Sequence, residues 1–99
     1  MNSLIQHMNV RGLVQGVGYR AFVADEAVRR GLSGWVRNRA DGTVEAVLSG
    51  PADAIEVMIE ACRKGPWGAR VDGIDLRDGT ADELGQRRAG EDFAVLPTA

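Results

Sequence analysis

Residues 12–20 read GLVQGVGYR, and this stretch decides how the surrounding chain folds. The residues before it, 4–13, can run as a strand, and residues 21–30 repeat with helical spacing. The turn between them contains Gly16 and Gly18 and ends at Arg20. Glycine lets backbone N–H groups converge on an anion because no Cβ opposes a positive φ. The free N–H groups and the dipole at the start of the next helix also favour negative charge there, so the stretch predicts a phosphate cradle.

The candidate phosphate ligands are one side chain and the backbone donors of the turn. The guanidinium of Arg20 carries a fixed charge, and its planar fork matches two phosphate oxygens. The backbone donors belong to Gln15, Gly16, Val17, Gly18, Tyr19 and Arg20. An ordinary strand-to-helix turn with Arg20 facing solvent is the alternative, because a Gly-x-Gly pair alone is not a specific signal.

Composition limits the classes of function. The 99 residues, 44% hydrophobic and 26% charged, are typical of one globular domain spanning residues 1–99. A net charge of −2 argues against broad binding to nucleic acid. The single cysteine, Cys62, cannot form an internal disulfide, which favours the cytoplasm. No stretch approaches the roughly twenty apolar residues that cross a bilayer, so we expect no membrane partner.

A β-hairpin follows the first helix, over residues 34–48, with Asp41 and Gly42 at its tight turn. In its first arm Asn38 shares the parity of the apolar Val36. An asparagine on the apolar parity at a strand end makes Asn38 a candidate functional residue. Alternatively, Asn38 simply bonds the backbone of the turn, as asparagine often does.

The second helix runs from about Pro51 to Lys64 and has one apolar stripe. The stripe is formed by Ile55, Met58, Ile59 and Cys62. Because Cys62 lies on it, we interpret this thiol as a small buried hydrophobe and not as a nucleophile.

The lone histidine gives no metal site. In the first strand, Leu4, Met8, Val10 and Gly12 lie on the more apolar parity and are expected to face the core. His7 lies on the other parity, which predicts a surface side chain. No cluster of His and Cys residues accompanies it, so we predict neither a metal nor another cofactor.

The C-terminal third is less informative. Residues 69–77 predict a strand with a bulge or bend at Gly73. Residues 78–91 are polar and without periodicity, which predicts a surface loop in which Asp82 and Glu83 are solvated. Residues 92–96 predict a fifth strand, whose pairing the sequence leaves open.

The order of elements is β-α-β-β-α-β. It predicts an α+β ferredoxin-like two-layer sandwich, with an antiparallel sheet, two helices on one face and residues 92–96 as an extra edge strand. Fold alone does not name a function, since RNA-binding and metal-binding modules use the same scaffold.

Two motifs resemble a known family. The stretch GLVQGVGYR at 12–20 is similar to the first signature of the acylphosphatases, and GWVRNR at 34–39 with DGTVE at 41–45 is similar to the second. Gly65, Pro66, Ala69, Val71 and residues 93–95 resemble weaker family positions. Residues 79–91 show no clear family pattern, and LPTA at 96–99 departs from the usual aromatic ending.

The resemblance implies hydrolysis of a small acyl phosphate to a carboxylate and inorganic phosphate, without metal. Nothing in the sequence demands more than a monomer. The resemblance also implies that Arg20 and the N–H groups of residues 15–20 bind the phosphoryl group, and that Asn38 orients the attacking water. Carboxylate is a good leaving group, so little general-acid help is needed.

Two other classes compete with this interpretation. A ferredoxin-like domain could hold phosphate or carbamoyl phosphate without turnover, as the related domain of larger hydrogenase-maturation proteins does. An RNA-binding module would need exposed aromatic side chains on adjacent central strands, and the chain has only five aromatic residues.

Overall fold

The computed structural model describes residues 3–87 and 90–99. Arg88 and Ala89, within the segment predicted to be a loop, lie outside the described residues. The elements in chain order are β1 Ser3–Leu13, α1 Tyr19–Arg29, β2 Ser33–Asn38, β3 Val44–Pro51, α2 Ala52–Lys64, β4 Arg70–Asp78, α3 Ala81–Leu84 and β5 Phe93–Val95.

The five strands form one sheet in the order β4-β1-β3-β2-β5. The first four pair antiparallel, which is the predicted ferredoxin-like arrangement. The bulge predicted near Gly73 is present, since the register between β1 and β4 shifts after the pair Arg11 and Gly73.

The extra edge strand is present as predicted, and its pairing, which the sequence leaves open, is parallel to β2, so the five-stranded sheet is mixed. Antiparallel pairing through β1 and β3 places the end of β4 at the same end of the sheet as the start of β2. The chain after β4 therefore enters the far edge from that end, and β5 runs in the direction of β2.

Both long helices cover one face of the sheet. The main core is shared by sheet residues Met8, Val10, Val36, Val44, Ala46 and Leu48 and by helix residues Val23, Ala27, Ile55, Met58 and Cys62. Burial raises the pKa of the Cys62 thiol to about 12, which fits the prediction of an unreactive core residue. Leu4 does not join this core as expected. It lies opposite Gly50, which has no side chain to pack on it, and it stays 43% exposed.

A second, smaller core lies on the opposite face. Trp35, Val47, Ala94 and Leu96 form it, with Ile5 and Leu84 packed against them. Residues 78–91 are therefore not only a loop, because they include α3, which carries Leu84. Thr80 and Glu83 form a capping box at the start of α3, a local signal that the absence of periodicity concealed. Glu83 is not simply solvated, since it also pairs with Arg77 at 2.6 Å.

His7 lies on this second face, opposite Val47, and is buried there, so the prediction of a surface side chain was wrong. His7 Nε2 donates to Glu45 Oε2 at 2.7 Å, and Arg37 Nε donates to Glu45 Oε1 at 2.8 Å. Burial alone would raise the pKa of the Glu45 carboxyl, but these two hydrogen bonds outweigh it and lower the pKa below its ordinary value.

Candidate active site

The cradle, residues 15–20, joins β1 to α1 and leaves its backbone donors free. Gly16 and Gly18 have φ angles of 76° and 80°, which L side chains rarely adopt, so glycine is required here by conformation. A Cβ at either position would meet nothing within 4 Å, so crowding is not the reason. No group in residues 3–87 and 90–99 accepts a hydrogen bond from the N–H groups of this turn.

Arg20 supplies positive charge at the start of α1. It is the second residue of the helix and is half-buried. Within the described part of the chain, its guanidinium has neither an ion pair nor a hydrogen bond. A charged fork without a partner, next to free backbone donors, is suited to binding a phosphoryl group.

The side chain of Tyr19 anchors the cradle to the core. It is 1% exposed, and its hydroxyl donates to the carbonyl of Cys62 at 2.7 Å. Desolvation raises the pKa of this phenol far above its ordinary value, so it stays neutral. Tyr19 can therefore contribute to anion binding only through its backbone.

Asn38 is the last residue of β2 and lines the same cavity as the cradle. Its backbone carbonyl oxygen accepts a hydrogen bond from the N–H of Ala99 at 3.1 Å, which ties the strand end to the C-terminal segment. The side-chain Oδ1 is buried and has no hydrogen-bond partner among the described residues. A buried acceptor without a protein donor is energetically costly unless a water or a ligand supplies one.

One cavity of about 260 Å³ is lined both by the cradle and by Asn38 at the end of β2. Its lining includes Gly16, Gly18, Tyr19, Arg20 and Asn38 from the predicted set. The side chains of Gln15 and Val17 do not line it. Val17 packs against the core, and Gln15 bonds to the hairpin.

The cavity lining also contains Val14, Ala21 and Val95, which were not among the predicted site residues. Val14 and Ala21 flank the cradle along the chain, so they follow from its position. Val95 comes from β5, and it had no local signal because its place depends on the parallel pairing with β2.

The remaining chemistry in the described residues is limited. They contain no group of three or more His, Cys, Asp or Glu side chains that could hold a metal ion. None of their helices is both long and apolar enough to cross a membrane. The fold is that of a ferredoxin-like domain, and its cavity lies between a glycine turn with free N–H groups and a strand end.

Comparison with known proteins names the family. The sequence matches the acylphosphatase family over residues 6–94. It is 51% identical to an acylphosphatase of Rhodopseudomonas palustris, over 99% of both chains. The acylphosphatase of Bacillus subtilis has a similar structure, with a TM-score of 0.81 and 36% identity over 94% of this chain and 98% of that one. The chain belongs to the acylphosphatase family and is an enzyme of that class, a hydrolase.

The fold also occurs inside a much larger protein. Full-length HypF, in a phosphate- and nucleotide-bound form, matches 98% of this chain with a TM-score of 0.83 and 26% identity. The match covers 12% of the HypF chain, so the similarity concerns one part of that protein.

Proposed function

We propose that the chain cleaves the carboxyl–phosphate bond of small acyl phosphates, with Arg20 and the cradle holding the phosphoryl group and Asn38 orienting the water. The observation that carries the proposal is the shared cavity. It is lined by free N–H donors and an unpaired guanidinium on one side and by an unpartnered amide oxygen on the other.

The cradle and Arg20 supply the charge stabilisation. The N–H groups of residues 15–20 and the guanidinium would bind the non-bridging phosphoryl oxygens, where negative charge lies during transfer. Phosphoryl transfer through a loose transition state needs mainly positioning and stabilisation of this charge. The positive potential of these N–H groups and of Arg20 supplies this stabilisation without a metal cation.

Asn38 would place the nucleophile. Its Oδ1 accepts a hydrogen bond from a water and directs the water's lone pair at phosphorus, in line with the bond that breaks. A P–O bond forms to the water oxygen, the P–O bond to the acyl group breaks, and the carboxylate leaves with the electron pair. Both protons of the water stay on the phosphate, which is released as dihydrogen phosphate. Because a carboxylate has a pKa near 4, its departure needs no proton from the enzyme.

The acyl group would lie against Val95. This side chain is 39% exposed and lines the same cavity as Arg20 and Asn38. A cavity of about 260 Å³ is at the small end for ligand sites, which supports a compact acyl group. We also propose that the enzyme acts as a monomer in the cytoplasm.

The direct experiment is to assay the purified chain on benzoyl phosphate with and without excess chelator. We expect equal rates in both samples, because the cradle and Arg20 provide the positive charge. Activity that disappears with the chelator would contradict the metal-independent mechanism.

The second candidate function is phosphate or carbamoyl phosphate binding without turnover. The likeness to part of HypF favours it. A chain that binds inorganic phosphate but leaves benzoyl phosphate unhydrolysed would support this function over catalysis.

A further inference from the structure

The side chain of Gln15 does not line the cavity, and it joins the cradle to the hairpin that carries Asn38. Its Nε2 donates to the carbonyl oxygen of Arg39 and to that of Thr43, both at 2.8 Å. These partners lie 24 and 28 positions further along the chain. Both protons of the amide nitrogen are therefore used on the hairpin, and neither is available to a phosphate.

The bonds are made at the point where the hairpin turn closes. Arg39 N–H donates to the carbonyl of Thr43 at 2.9 Å, and Gly42 N–H donates to that of Arg39 at 3.1 Å. Both carbonyls thus accept from the turn and from Gln15. Arg39 directly follows Asn38, so a shift of its carbonyl also shifts the Asn38 backbone.

We propose that Gln15 is a positioning residue that fixes the distance between the cradle and Asn38. Across the described ranges, no other hydrogen bond joins residues 14–20 to residues 38–43. The inference rests on the proposed function, in which the phosphorus held by the cradle must lie in line with a water held by Asn38.

The opposite side of the hairpin cannot replace this link. Glu45 accepts from Arg37 at 2.8 Å and from Arg39 at 3.4 Å, and these bonds hold the hairpin side chains to one another. They make no contact with the cradle. Without Gln15 the hairpin would keep its shape but lose its hydrogen bonds to residues 15–20.

The consequence is a change in turnover without a change in phosphate binding. Misplacing reacting groups by about 1 Å can cost about 100-fold in rate. We expect Gln15→Met, which keeps the length and removes both donors, to lower kcat for benzoyl phosphate by about 10- to 100-fold. The inhibition constant of inorganic phosphate should change less than about threefold, because the cradle donors are backbone groups.

Gln6→Met is the matched control. Gln6 Nε2 also donates to a backbone carbonyl at 2.8 Å, that of Arg77, but it joins β1 to β4 and does not touch the cavity. Both variants lose a glutamine-to-carbonyl contact, so a general loss of stability would appear in both. Only Gln15→Met should lose kcat.

If Gln15→Met does not fold, Gln15→Asn replaces it. Asparagine keeps the donors but is one methylene shorter, so it should reach at most one carbonyl and lower kcat by a smaller factor. Parental kcat in a folded Gln15 variant would overturn the inference. So would a parallel loss of kcat and phosphate affinity, or an equal loss of kcat in Gln6→Met.

The parent and Asn38→Ala separate this inference from the proposed function. A parent without turnover, or Asn38→Ala at the parental rate, would overturn the proposed function and the inference with it. An active parent, an inactive Asn38→Ala and a Gln15→Met at the parental rate would overturn the role of Gln15 alone.

Discussion

The cradle of residues 15–20 and the hairpin turn of residues 38–43 border the same cavity but are held by different means. The cradle leaves its N–H groups free, and exposed glycines at Gly16 and Gly18 set its shape. The backbone of the hairpin turn is instead held by hydrogen bonds, both within the turn, where Arg39 N–H donates to the carbonyl of Thr43 at 2.9 Å, and to the C-terminus, where Ala40 N–H donates to the carbonyl of Ala99 at 2.8 Å. The difference fits the proposed division of labour, in which the cradle binds the phosphoryl group while the hairpin positions the water.

Of the proposed variants, Arg20→Ala should lower activity the most. The variant removes the only side-chain charge that we assign to phosphoryl binding, so kcat/KM for benzoyl phosphate should fall by about 10³-fold or more. Phosphate inhibition should weaken as well, since the same group binds product. Steady-state kinetics with phosphate as inhibitor measures both.

Arg29→Ala is the control for Arg20→Ala. Arg29 lies on the same helix and pairs with Glu26 at 3.2 Å on the exposed side. Arg29→Ala should leave kcat/KM and the inhibition constant of phosphate near those of the parent. An equal loss in the two variants would mean that overall charge, and not the position of Arg20, governs binding.

Asn38→Ala tests the positioning arm. Removing the amide should lower kcat by about 10²- to 10³-fold, the range seen when one polar group that acts in the transition state is lost. The measurement is initial rates on benzoyl phosphate with circular dichroism to verify folding. Hydrolysis at the parental rate would end the role of Asn38 in placing the water.

Much of this site follows from local sequence, and the rest depends on contacts far along the chain. Gly16, Gly18 and Arg20 lie within one short stretch, and the turn at Asp41 fixes where β2 ends, so both arms were predictable. Assigning a role to Asn38 required the family resemblance, because an asparagine at a strand end has several uses.

The second face of the sheet could not be predicted in the same way. His7 lies opposite Val47 on the face where the second core includes Leu84 of α3, and a helix of four residues has too few turns to show a period. Val95 lines the cavity because β5 pairs with β2, across more than fifty positions. Neither fact is encoded in the residues next to His7 or Val95.

Gly18→Ala should sharpen the claim that the cradle's shape is set by its backbone. A positive φ at a non-glycine residue costs about 1–2 kcal/mol, so the variant should lose about that much stability or shift the turn and weaken phosphate binding. Gly85→Ala is the matched control, since its φ of −67° suits any residue. Urea unfolding and phosphate inhibition of both variants test this, and equal values in the two would contradict it.

Glu83→Gln should have the smallest effect, which is on stability, and it should leave kcat unchanged. The hydrogen bond from Arg77 lowers the pKa of Glu83 to about 2, so its contribution to stability is present above the unfolded-state pKa of about 4.3 and is lost as pH falls towards 2. Glutamine can still close the capping box. The parent should therefore exceed the variant by about 1 kcal/mol or less at pH 6, and by nothing near pH 2.

Urea unfolding at the two pH values measures that difference. A gap that stays constant with pH would show that the pair with Arg77 is not its source. A change in kcat would show that the far face of the sheet affects the cavity.

Binding of inorganic phosphate to Asn38→Ala is the most direct test of the division of labour. Isothermal titration would compare its dissociation constant with those of the parent and of Arg20→Ala. We predict that Asn38→Ala binds phosphate within about threefold of the parent, since the cradle donors are backbone groups, while Arg20→Ala loses binding. A loss of phosphate binding in Asn38→Ala as large as that in Arg20→Ala would contradict the account.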